Sequence, residues 1–77
     1  MKERIDWEQL EEDLRVELSN EKIWEMGFND DYRNPHTTNI LFIEQILDRI
    51  FNGDYEEAIS LIEDMYGMEY FDDYLLN

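Results

Sequence analysis

The stretch DLRVELSNEKIWE, Asp13 to Glu25, sets a carboxylate at every fourth position: Asp13, Glu17, Glu21 and Glu25. On a single helix those four side chains stack along one face, because four residues make little more than a full turn. The neighbouring apolar residues bring this arrangement into conflict with a core. Trp7, Leu10, Leu14 and Leu18 fall within a sector about 80° wide at the helical advance of about 100° per residue. A straight continuation carries Glu21 and Glu25 into that sector and turns Ile23 and Met26 nearly opposite. One helix through residue 26 would thus bury carboxylates and expose apolar side chains. Ser19-Asn20, both good N-cap types, lie at the phase break. The pattern therefore predicts two helices, about 7–18 and 20–26, the second ended by Gly27.

Upstream, Asp6 is a suitable N-cap with Gln9 as its capping-box partner, and Ile5 and Leu10 hold the hydrophobic-staple positions. Downstream, FNDDYRNPHTT (28–38) is dense in turn formers and contains the one proline, so it reads as a loop ending at Thr37 or Thr38 as the next N-cap. A third helix over about 39–52 carries Ile40, Phe42, Ile43, Ile46, Leu47, Ile50 and Phe51 over half its circumference, the width of a central core helix. Asn52-Gly53 stops it. Asp54, with Glu57 three residues later, starts a fourth helix over 55–66, whose apolar side holds Tyr55, Ala58, Ile59, Leu61, Ile62, Met65 and Tyr66. Gly67 ends it, and 69–76 reads as a short C-terminal turn packing Tyr70, Phe71, Tyr74 and Leu75 on the body. No useful strand alternation occurs. The expected fold is all-α: a compact single-domain bundle of four to five short helices with a central helical hairpin.

Seventy-seven residues make one small domain. An apolar fraction of 43% with eleven aromatic residues suffices for a packed core, so disorder is not the expectation. The absence of cysteine excludes disulfides and thiolate metal sites. No apolar run reaches the roughly 18 residues of a membrane span, and MKERIDWEQLEED is too acidic for a signal or transit peptide. A soluble, cytoplasmic protein is expected, in the host cytoplasm if phage-encoded.

Charge is the outlier. Twenty-one acidic residues oppose six basic ones, a net of −15. Such a field repels nucleic acid and anionic lipid and attracts basic protein surfaces. Lys2, Arg4, Arg15, Lys22, Arg33 and Arg49 are scattered, so no phosphate-binding cluster exists. After Arg49 no basic residue occurs, while Asp54, Glu56, Glu57, Glu63, Asp64, Glu69, Asp72 and Asp73 follow. On the fourth helix Glu56, Glu57, Ser60, Glu63 and Asp64 share a polar sector with no lysine or arginine. A surface helix ordinarily intersperses lysine, so a partner is expected to supply the positive charge. Tyr70 and Tyr74, interleaved with Asp72 and Asp73, add aromatic anchors beside the carboxylates.

Catalytic and cofactor signals are missing. His36, the one histidine, stands in NPHTT without a nucleophile context and reads as a surface or capping residue. Asp30-Asp31 and Asp72-Asp73 lack the spacing of a calcium loop, so no metal, cofactor or catalytic residue is expected. GDYEEAI (Gly53–Ile59), preceded by an apolar helix, resembles the turn and second-helix start of a tetratricopeptide repeat over Phe42 to Glu69 at most. Ala58 agrees with that pattern. Phe42, Gln45, Ile46 and Arg49 occupy its diagnostic Trp, Leu, Gly and Tyr positions, and no second copy lies about 34 residues away. The segment is read as a helical hairpin.

In size and charge the chain resembles phage-encoded inhibitors of host defence, the anti-CRISPR and antirestriction DNA mimics, with no motif shared. The functional expectation is a non-enzymatic acidic inhibitor that occupies the basic nucleic-acid-binding groove of a nuclease or of a CRISPR or restriction effector. Its partner-binding residues would be Glu56, Glu57, Glu63, Asp64, Asp72, Asp73, Tyr70 and Tyr74, with Glu17, Glu21 and Glu25 as a second patch. The alternatives are an immunity protein or antitoxin neutralising a nuclease toxin, and a helical protein–protein adaptor.

Overall fold

The computed structural model describes residues 4–27 and 35–76. Three α-helices and a closing 3-10 helix follow in chain order: α1 Trp7–Gly27, α2 Pro35–Phe51, α3 Tyr55–Tyr66, and the 3-10 helix Met68–Tyr74. α1 packs on α2, α2 on α3, and the 3-10 helix returns from α3 to α1. The all-α single-domain bundle with a central hairpin is thus the observed architecture, elongated to 44 × 21 × 18 Å. No helix among the described residues is long and apolar enough to cross a membrane.

The start of α1 follows its sequence signals in part. The Gln9 N–H donates to Asp6 Oδ1 at 3.2 Å, so Asp6 is the N-cap. The reciprocal leg of the box is absent, because the Gln9 amide donates instead to Asp13 at 2.9 Å. The Asp6 N–H that it would have satisfied donates to the Tyr74 carbonyl at 2.7 Å. That bond belongs to a clasp between the two ends of the described chain: Ile5 and Leu75 form an antiparallel bridge, and the Leu76 N–H donates to the Arg4 carbonyl at 2.5 Å. Ile5 and Leu10 are both buried in the core, as staple residues should be.

The predicted break at Ser19-Asn20 does not occur. α1 runs without interruption through both residues to Gly27, and the helices expected at 7–18 and 20–26 are one. Breaking it there would orphan up to four N–H and four C=O groups, each worth about 0.5–1.5 kcal/mol net when bonded. The consequence foreseen for a straight helix follows: Glu21 is buried at 5% exposure, while Ile23 is 64% and Met26 87% exposed.

α2 begins at Pro35, earlier than the expected Thr37 or Thr38 cap, so the loop read over 28–38 is helical from 35 onward; its residues 28–34 lie outside the described residues. Proline suits a first helical position, where its missing N–H has no intrahelical partner in any case. Ile40, Ile43, Ile46 and Ile50 form the buried stripe of α2. Gly53 adopts φ +77° and ends α2 with two bonds: its N–H donates to the Ile50 carbonyl at 3.1 Å and the Asp54 N–H to the Arg49 carbonyl at 2.8 Å. This paired arrangement is the glycine-dependent Schellman motif. α3 spans the predicted 55–66, but Asp54 makes no side-chain capping bond. The hairpin turn is therefore held by backbone geometry at Gly53, and the capping box expected of Asp54 and Glu57 does not form on the Asp54 side. Ala58, Ile62 and Phe71 close the core over Leu10, Leu14, Ile43, Ile46 and Ile50.

Candidate functional site

Glu56, Glu57, Ser60 and Asp64 are exposed on α3, and Glu63 is half-buried at the edge of the same face. The face exists because α3 buries Ala58 and Ile62 on the opposite side, and three- and four-residue spacings bring its polar side chains to about 5–6 Å. Both first-turn acids, Glu56 and Glu57, sit where the helix N-terminus favours negative charge, whereas no basic residue occupies the last turn. Asp72 and Asp73 are exposed on the 3-10 helix that follows. Six of the predicted partner-binding carboxylates thus lie on the two consecutive C-terminal elements.

The tyrosines of this region face inward. Tyr66 and Tyr70 stack with centroids 4.6 Å apart and planes 15° from parallel, and Tyr70 and Tyr74 lie 5.2 Å apart. The Tyr74 hydroxyl donates to Asp13 Oδ2 at 2.5 Å, joining the C-terminal segment to α1. Burial raises the pKa of all three phenols above the ordinary value; for Tyr74 the hydrogen bond to Asp13 adds to the rise, and for Tyr66 the charge of Glu17 does. For Tyr70 the hydrogen bond with Tyr74 opposes the rise, and the charges of Asp13, Glu17 and Asp73 reinforce it. The Tyr66 hydroxyl is buried with no hydrogen-bond partner among the described residues. Tyr70 and Tyr74, predicted as partner anchors, are half-buried and engaged within the protein.

The second predicted patch resolves differently. Glu17 is half-buried near Tyr66 and Tyr70. Glu21 is the one buried charged residue among those described. Its Oε2 lies 2.5 Å from His36 Nδ1, and its Oε1 accepts from the Asn39 amide at 3.3 Å. Glu25 accepts from Thr37 Oγ1 at 2.6 Å. The first turns of α2 therefore receive two carboxylates from α1, where the positive end of the helix dipole also favours them. The Trp24 and His36 rings lie 5.6 Å apart and complete this end of the α1–α2 pair. The ladder of Asp13, Glu17, Glu21 and Glu25 is a single row, directed at the protein's own tyrosines, His36 and Thr37. Glu21 is consequently withdrawn from any external patch.

His36, expected at the surface or in a cap, instead ties α2 to the buried carboxylate. No sequence motif signals this; the one available clue is that a straight α1 demands a donor opposite Glu21. Among the described residues no group of three or more His, Cys, Asp or Glu side chains is arranged to hold a metal ion; Asp30-Asp31 lies outside them. No known protein family, curated protein or solved structure matches the chain.

Proposed function

We propose that this protein is an acidic inhibitor that binds the basic nucleic-acid-binding groove of a partner protein. The observation that carries this reading is the α3 face, where Glu57, Ser60 and Asp64 are exposed and no lysine or arginine follows Arg49 in the sequence. Asp72 and Asp73 extend the negative surface. Carboxylates on such a face pair with the Lys and Arg that otherwise hold phosphates, and the net charge of −15 accelerates the encounter. A phage-encoded antagonist of a CRISPR or restriction effector fits this chemistry, as does an immunity protein or antitoxin directed at a nuclease.

An adaptor that binds through apolar contacts is the second reading, favoured by the exposure of Val16, Ile23, Trp24 and Met26 on α1. The two differ in their response to salt. Binding through the α3 carboxylates falls steeply as ionic strength rises, whereas apolar docking is nearly indifferent to it. The deciding experiment is a pull-down from the native host with the wild-type protein and with Glu56, Glu57, Glu63 and Asp64 each changed to Lys. Four reversals at two charges each take the net charge from −15 to −7. Loss of a nucleic-acid-handling partner supports the inhibitor reading; undiminished capture of the same partner contradicts it.

A further inference from the structure

The exposed side of α1 carries a second pattern. Val16, Ser19, Ile23 and Met26 succeed one another at spacings of three, four and three, the repeat with which one helix offers a seam to another. All four are exposed, Val16 at 56%, on the side opposite the stripe of Leu10, Leu14 and Glu21. The same sector continues toward the N-terminus through Glu12 and Glu8, both exposed. Beside them a shallow cavity is lined by Glu8, Glu11, Glu12 and Arg15, where Arg15 is bonded to Glu11. The outer surface of α1 thus carries Val16, Ile23 and Met26 along its C-terminal half, flanked by the exposed Lys22, and is rich in carboxylates along its N-terminal half.

We propose that this surface docks an amphipathic helix of a cationic partner. Apolar side chains of that helix would cover Val16, Ile23 and Met26, and a Lys or Arg about one to two turns further along would reach Glu12 and Glu8. The inference rests on the basic-partner reading above and adds an apolar contact on a face distinct from α3. Charge selects the occupant. A second copy would bring another −15 to the seam, and an anionic lipid surface is repelled in the same way, whereas a cationic helix relieves the field. The seam also supplies what the α3 face lacks, contacts whose strength survives salt.

The test uses the full-length chain and a fluorescent synthetic peptide of about three heptads, with leucine at the two seam positions and lysine elsewhere. A peptide of the same composition with scattered leucines is the control. At about 0.15 M salt, amide shift mapping is expected to centre on Glu8, Glu12, Val16, Ser19, Ile23 and Met26. The helical peptide should bind at least about tenfold more tightly than the scattered one, and V16S/I23S/M26S should erase that difference. E8Q/E12Q should weaken binding by about threefold or more, against little change for the charge-matched E44Q/D48Q on the exposed side of α2. Thermal melts establish that the triple variant is folded, and M26S alone, at the most exposed position, provides a milder version of the same test.

Shifts centred on α3, or wild-type affinity in the triple variant, would overturn the seam proposal and leave the basic-partner reading standing. Self-association of the wild type that the triple variant abolishes would assign the seam to a second copy and overturn it as well. If neither peptide binds at any salt concentration, both readings are removed.

Discussion

α3 and the C-terminal half of α1 are both acidic amphipathic segments, and they point their acids in opposite directions. In α3, Ala58 and Ile62 face the core while Glu56, Glu57 and Asp64 face water. In α1 beyond Leu18, Glu21 faces the core while Ile23 and Met26 face water. The first arrangement is what burial of apolar area alone produces. The second exists because specific donors await the carboxylates: His36 and Asn39 for Glu21, and Thr37 for Glu25. Like residues therefore do unlike work. Glu21 and Glu25 on α1 bond the first turns of α2, whereas Glu57 and Asp64 on α3 are exposed. The difference teaches that a count of acidic residues does not locate a phosphate-like surface; the placement of donors decides which acids are already occupied.

The largest expected effects come from equivalent substitutions on the two helices. Ile62→Ala, at a position with no exposure, should destabilise the protein by about 2–5 kcal/mol, and Ile23→Ala should stay within about 0.5 kcal/mol, both measured by urea unfolding. Comparable losses at the two sites would break the contrast. Next, His36→Ala leaves Glu21 buried beside Asn39 alone and should cost about 2 kcal/mol. Changing Glu21→Leu in that background should recover much of it, because the stranded charge is then gone.

A smaller effect belongs to the contact between Tyr74 and Asp13. Tyr74→Phe removes a hydrogen bond to a carboxylate and should cost about 1 kcal/mol near neutral pH. The same region sets the alkaline limit. Tyr66, Tyr70 and Tyr74 have raised phenol pKa values in the folded state, so the folded protein retains protons that the unfolded chain releases above about pH 10. Stability from this source is complete below about pH 10 and is lost as pH rises toward and through the raised values. Y66F/Y70F/Y74F should flatten that alkaline decline, whereas an unchanged pH profile would contradict it. Smallest is Asp64→Lys in the last turn of α3, which relieves like charge and suits the helix C-terminus. It should stabilise by about 0.3–1 kcal/mol and, under the proposed inhibitor reading, weaken partner capture.

Much of this architecture is legible in the chain. Asp6 as an N-cap, Gly53 and Gly67 as stops, the isoleucine stripe of α2 and the limits of α3 all follow from local rules, because each depends on residues within a turn or two. The sequence misleads at Ser19-Asn20. The apolar phase there correctly says what a straight helix exposes and buries, but it does not disclose that the start of α2 brings donors to Glu21. That information is carried by His36, fifteen residues away in sequence, and no periodicity reports it. The α3 acids are recognisable as a surface because their opposite face is ordinary, whereas the α1 acids become interpretable only once α2 is placed beside them.

The inversion of α1 is the claim on which the division of labour depends, and solvent relaxation tests it most directly. With a neutral paramagnetic gadolinium chelate in solution and methyl-labelled protein, the Ile23 and Met26 methyl signals should broaden strongly while those of Ile43, Ile46 and Ile62 remain sharp. Sharp Ile23 and Met26 signals, together with non-helical carbon shifts at Ser19 and Asn20, would mean that the helix breaks and turns its apolar side inward, contradicting the account.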